Sequence, residues 1–188
     1  YEIAQCLVGS EMCIRDRCAP GQLYAGYSPQ ETAQTIGSTS GTAAERMNGR
    51  MAKKIGTGTY LLEHAPSAAA YAAIVGQMEG EGPLGACFDY VEQDSYFGKD
   101  SWEQAESELQ RRTVGTALQK AELTAQDIDL ILAGDLINQC TGTTYGLRGM
   151  GIPLLGLYGA CSTMAEGLAL GSILMDSGIA RHIVCLLY

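Results

Sequence analysis

The chain has 188 residues, 46% of them apolar and 18% charged, the composition of a globular domain with a proper core. Its net charge of −9 argues against a nucleic-acid partner, which needs a basic face, and no basic block offers a grip on an anionic membrane surface. Seven cysteines (Cys6, Cys13, Cys18, Cys87, Cys140, Cys161 and Cys185) are scattered without a C-x-x-C pair, so neither a disulfide framework nor a metal site is expected, and a reducing compartment fits better.

Residues 1–17 contain acidic positions and no continuous apolar run, so no signal peptide is read there. Within them "CLVGSEMCIRDR" (Cys6–Arg17) has neither helical nor strand periodicity and resembles translated sequencing-adapter sequence; the closing "CLLY" (Cys185–Tyr188) resembles the start of another such tag. Residues 1–17 and 185–188 are therefore expected to be artefact. Residues 18–50, rich in Gly, Ser, Thr and Ala, read as disordered or untranslated upstream sequence, which leaves 51–184 as the domain.

After Met51, "TYLLE" and "AAYAAIV" read as short strands and "EGEGPLG" (Glu79–Gly85) as a turn-rich stretch. A helix follows, with Asp100 as N-cap three residues ahead of Glu103. Its apolar face holds Trp102, Ala105, Leu109, Ala117 and Leu118; Glu103, Glu106, Glu108, Arg111 and Arg112 are assigned to the wet side. Thr124 and Asp127 cap a short turn before a buried strand over Asp129–Gly134. A helix over Thr141–Arg148, a strand over Ile152–Tyr158, a helix over Ser162–Ser177 and a strand from Arg181 complete the pattern. Strands alternating with helices imply βαβ units and a parallel or mixed sheet. The stretch Ile152–Met175 lacks Lys and Arg, but Pro153 and four glycines split it into strand, turn and helix, so no transmembrane segment is read there. The helix in that stretch is apolar almost all round (Met164, Ala165, Leu168, Leu170, Ile173, Leu174), so it belongs inside a layered protein, covered on both sides.

Between that strand and helix stands "YGACST" (158–163). A cysteine at a helix N-terminus meets backbone N–H groups without intrahelical partners and the positive end of the macrodipole, which together favour the thiolate. Gly159, Ala160 and Ser162 are small enough for a sharp turn and close approach of a ligand, the logic of a nucleophile elbow with sulfur in place of oxygen. The competing reading of Cys161 is a buried, inert thiol acting as a small hydrophobe. Asp135, Asn138 and Gln139 follow a strand end, where loops line binding crevices, though turn and cap duty explains Asp135 and Asn138 as well. Arg148 is weighed as a partner for a dianion against a plain surface arginine.

Taken together, "EGPLG", "SWEQAE", "AGDLINQ", "IPLLGLYGACST" and "DSG" resemble, in order and spacing, the stage V sporulation protein AD family of the thiolase-like superfamily, from about Gly56 to Val184. The resemblance implies an α/β fold, a thiolase-like α/β/α/β/α sandwich of which only the N-terminal half is present. It places Cys161 on the thiolase nucleophile position and implies a non-catalytic protein that binds dipicolinic acid, free or as its calcium chelate, for uptake into the developing spore. The ligand would meet Cys161, the N–H groups of Ser162 and Thr163, and Asn138. No cofactor and no metal are implied. The implied partners are the other stage V sporulation A membrane proteins and, in the full-length protein, a second copy; the implied location is cytoplasmic or peripheral at the spore inner membrane. The rival is a ketosynthase- or thiolase-like acyltransferase that uses Cys161 as acyl acceptor, but His64 and His182 match no catalytic position of that superfamily.

Overall fold

The computed structural model describes residues 2–7, 53–136 and 139–188. In chain order the elements are β1 (Glu2–Leu7), β2 (Lys53–Lys54), β3 (Tyr60–Leu61), β4 (Ser67–Ala72), β5 (Ile74–Gly76), α1 (Gln77–Gly80), β6 (Tyr90–Glu92) and α2 (Trp102–Lys120), then β7 (Leu130–Gly134), α3 (Thr141–Leu147), β8 (Leu154–Gly156), α4 (Thr163–Asp176) and β9 (His182–Leu187). Five strands form one sheet in the order β4-β1-β9-β7-β8, with every neighbouring pair parallel. Two small pairs stand apart, β2 with β3 antiparallel and β5 with β6 parallel. No helix among the described residues is long and apolar enough to cross a membrane.

The fold is α/β, and its core follows from the period-2 alternation of two strands. On β7, Ile131 and Ala133 join Val184 and Leu186 of β9 in a cluster with Leu109, Val114, Ala117 and Leu118 of α2. Leu132 of β7 turns the other way and meets Ile183, Cys185 and Leu187 of β9 and Met164 and Met175 of α4. Both faces of the sheet are thus covered, as an all-parallel sheet requires. β9 runs on past residue 184, with Cys185, Leu186 and Leu187 all buried in these two clusters. β1, drawn from residues 1–17, lies between β4 and β9; residues 8–52 lie outside the described residues.

Two expectations are corrected by packing. The cap of α2 is Ser101 rather than Asp100: Ser101 holds extended backbone at the helix entry and its Oγ accepts from the Gln104 N–H at 3.3 Å. Glu106, assigned to the wet side, is 1% exposed, while Trp102 is 52% exposed and stacks on Tyr96 at 4.3 Å between ring centroids. The reason is that α2 packs on α3 as well as on the sheet, which widens its buried stripe to Glu106, Gln110 and Thr113. Among the described residues α4 is covered on one side, Gly167 and Gly171 lying against Leu157 and Leu132 and Ala165, Ala169 and Ile173 exposed on the opposite face, as expected where only the N-terminal half of a thiolase-like sandwich is present. Three layers, helices then sheet then α4, stand among the described residues.

Leu132 is fully buried between α4 and β9. Leu132→Ala is expected to cost about 2–5 kcal/mol, from lost transfer energy and the cavity left behind, read as a lower midpoint in urea unfolding at unchanged slope.

Candidate functional site

Parallel strands bring their carboxyl ends to one edge, and the loops leaving that edge form the natural crevice of such a sheet. Here they carry Asp135 after β7, Leu157 and Tyr158 after β8, and Tyr188 after β9, whose N–H donates to the Gly134 carbonyl at 3.2 Å. Gly134 is where these elements meet, since a Cβ there would collide with the Leu157 carbonyl and with Thr163 at the start of α4.

Asp135 serves the first of these loops. Its carboxylate accepts the Cys140 N–H at 3.1 Å and both the N–H and hydroxyl of Thr143 at 3.1 Å, which caps α3. Gln139 and Cys140 take left-handed backbone, φ +42° and +63°, to turn the chain into α3. Cys140 is buried; its Sγ lies 3.6 Å from the Leu157 carbonyl, and the neighbouring thiol raises the Tyr158 hydroxyl above its ordinary value. Asn138, between Asp135 and Cys140 in sequence, lies outside the described residues.

Cys161 is an exposed free thiol in a short 3-10 turn, Ala160–Ser162, that leads directly into α4. The turn is entered through Ala160 at φ +49°, a region non-glycine residues rarely occupy. Gly159 leaves room beside it: a Cβ there would stand 2.5 Å from Glu166 Oε2 and 2.7 Å from Ser162 Oγ, so both side chains would have to shift. The backbone donors expected to receive an anion are committed to the turn. The Ser162 N–H donates to the Gly159 carbonyl at 3.0 Å, and the Thr163 N–H to the Ala160 carbonyl. The tightened 3-10 geometry of the helix entry consumes them, a feature that spacing alone does not reveal. What remains at the turn is the thiol, the Ser162 hydroxyl, which donates to Gly159 O at 2.7 Å, and the buried Thr163 Oγ1, which has no partner.

The family model for stage V sporulation protein AD matches residues 56–187. A relative in Bacillus subtilis (strain 168), "Stage V sporulation protein AD", is 42% identical over 130 residues, covering 69% of this chain and 38% of its own length. The chain belongs to the stage V sporulation protein AD family. It spans well under half the length of that curated relative.

In this family member neither described histidine shares an edge with Cys161. His182 opens β9 at the amino end of the sheet, with Nδ1 2.9 Å from the Asp127 carbonyl, and the His64 N–H donates to Asp176 Oδ1, at the far end of α4, at 2.7 Å. Arg148 stacks over Tyr145, 5.1 Å from its ring centroid, in a cleft of about 610 Å³ between α2 and α3 that also exposes Lys99 and Arg111 and does not include Cys161. Cys87 is disulfide-bonded, a bond that the expectation of a reducing compartment does not include. Glu106, assigned to the wet side from the sequence, is buried because α3 packs over it, and no local pattern in α2 marks it as inside.

The three free thiols among the described residues, Cys140, Cys161 and Cys185, differ in access. Cys161 is exposed, Cys140 is buried, and burial pushes the Cys185 thiol up to about 12. Brief alkylation with iodoacetamide followed by peptide mass mapping is expected to label Cys161 at least tenfold faster than either of the others, because only an accessible thiol reacts; comparable labelling of Cys185 would contradict this packing.

Proposed function

We propose that this chain carries the ligand-recognition site of a non-catalytic sporulation protein, and that dipicolinate docks at the start of α4. The observation behind this reading is the exposed Cys161 on a strained turn at the carboxyl edge of the sheet. A residue held in such a backbone region costs about 1–3 kcal/mol and persists only where its surroundings impose it, which is characteristic of binding and catalytic sites. One ligand carboxylate would be met by the Cys161 thiol, the Ser162 hydroxyl and the positive end of the α4 dipole, with the Thr163 hydroxyl, buried in the closed turn, joining them once the turn opens and Asn138 as a further expected contact. Capturing the N–H groups of Ser162 and Thr163 as well requires the 3-10 turn to open. Glu166 overlies this turn, so a bare dianion meets an acidic neighbour, whereas a calcium chelate brings the cation that offsets it.

Turnover is not part of the proposal. Acyl transfer through Cys161 needs a base to move protons on and off sulfur and the leaving group; among the described residues His64 and His182 are held elsewhere, and a His/His or His/Asn set in the rest of the full-length protein would favour the acyltransferase instead. On the same reading the full-length protein works as a homodimer, in the cytoplasm or peripherally at the spore inner membrane, beside the other stage V sporulation A membrane proteins.

Calorimetric titration of dipicolinate, with and without calcium, into the protein and its Cys161→Ala and Thr163→Val variants tests this. Saturable heat is expected, larger affinity with calcium, and a loss of about tenfold in each variant, the scale of one hydrogen bond near 1.4 kcal/mol. No heat under either condition overturns the reading. A thioester mass on Cys161 after incubation with an acyl-coenzyme A would replace it with acyl transfer.

A further inference from the structure

Glu106 and Gln110 form a fully buried polar pair on the face of α2 that meets α3, 1% and 0% exposed. Gln110 Nε2 donates to Glu106 Oε1 at 3.2 Å, and both remaining oxygens, Glu106 Oε2 and Gln110 Oε1, are buried without a hydrogen-bond partner. Two orphan acceptors in one side-chain pair is an expensive arrangement. A single proton resolves both: on Oε2 it turns the carboxylate into a carboxylic acid, whose hydroxyl supplies the donor that Gln110 Oε1 lacks.

The groups around the pair point the same way. Asp135 faces Glu106 from the loop after β7, Glu103 from its own helix, and Tyr188 from the end of β9. From α3 comes Gly142, where a Cβ would stand 2.8 Å from Glu106 Cδ, so the acid is pressed against the first turn of the helix that Asp135 caps. None of these neighbours is cationic. An ionised Glu106 would be a buried charge facing a second carboxylate across the entry of α3.

We propose that Glu106 is a positioning residue that works as the neutral acid, closing a two-bond ring with Gln110, and that loss of its proton loosens the first turn of α3 and the Asp135 cap. The Asp135 cap on Cys140 and Thr143, at one wall of the carboxyl edge, is then set by pH. The inference goes beyond dicarboxylate binding and does not depend on it, because its readouts need no ligand. Burial, then Asp135, pushes the Glu106 carboxyl up to about 7 from an ordinary 4.5. The sign follows: the neutral pair supports the fold fully below pH 4.5, and that support drains away as pH rises through about 7.

The test is hydrogen–deuterium exchange at the Cys140 and Thr143 amides of the 188-residue chain, wild type against Glu106→Gln, at pH 5 and pH 8, corrected for intrinsic exchange. The amide variant keeps both bonds of the ring and has no proton to lose. Wild-type opening is expected to rise on the order of a hundredfold more than that of the variant over this range, since an opened Glu106 titrates as an ordinary carboxyl. Parallel behaviour of the two proteins overturns the proposal, and so does failure of Glu106→Gln to fold, because that side chain mimics the neutral acid. A carboxyl ¹³C titration of the wild type reads the proton directly: a Glu106 midpoint near 7 is expected, and one near 4.5 overturns the proposal even if the exchange results agree.

Discussion

The two-sided burial of β7 and β9 is the constraint on which the rest of this structure depends. Ile131, Ala133, Val184 and Leu186 can face one helical layer only if Leu132, Ile183, Cys185 and Leu187 face the other, and a slip of one residue would exchange the two sets. A parallel pair cannot be joined by a tight turn, so α3 and α4 are obligatory crossovers as well as covering layers. With the strands fixed in register, Leu130 against Ile183 through Gly134 against Leu187, the residues that follow them are delivered to one edge. Asp135, Tyr158 and Tyr188 reach that edge for this reason, and Cys161 is drawn there by the turn that starts α4.

Small residues then decide how closely that edge is drawn together. Gly134 lets the end of β7 touch Leu157 and Thr163; Gly167 and Gly171 let α4 lie down on Leu157, Leu132 and Cys185. A Cβ at Gly134 would collide with the Leu157 carbonyl, whereas at Gly167 and Gly171 it would press on the Leu157 and Leu132 side chains at 3.3 Å, a tight seat for α4. On the other face Gly146 does the same for α3, where a Cβ would stand 2.5 Å from the Ser107 carbonyl of α2. The close α2–α3 seam that results is what buries Glu106, so an ordinary packing device on α3 creates the polar tension on α2.

Periodicity and turn chemistry made much of this legible in the sequence. The strand at 130–134, the helices after Thr141 and Ser162, the Thr124–Asp127 capping box and the α/β class all follow from local patterns that tertiary packing does not override. The strand at 152–158 shortens to Leu154–Gly156 because its ends serve the loops of the edge. Other features required knowledge of what packs against what. Glu106 looks like a surface acid until α3 is laid beside it, and Trp102 looks like core until Tyr96 takes it at the surface. The availability of the Ser162 and Thr163 amides depends on whether the entry to α4 is open or wound into a 3-10 turn, a difference of backbone torsion that carries no signature in "GACST".

Among the departures from comfortable packing, one of backbone and one of buried polarity lie along the same edge. Ala160 holds a backbone conformation that favours glycine, one residue before the exposed thiol. Glu106 holds an acid with an orphan oxygen inside a seam that apolar residues would fill at lower cost. Neither feature helps to close the core, which the alternating strands already close. A domain that satisfies its sheet, caps and crossovers by ordinary rules has no structural need for either. Locally costly choices that survive beside well-satisfied ones are the mark of positions held for function. One of them shapes the surface a ligand would touch, and the other sits under the helix whose first turn borders that surface.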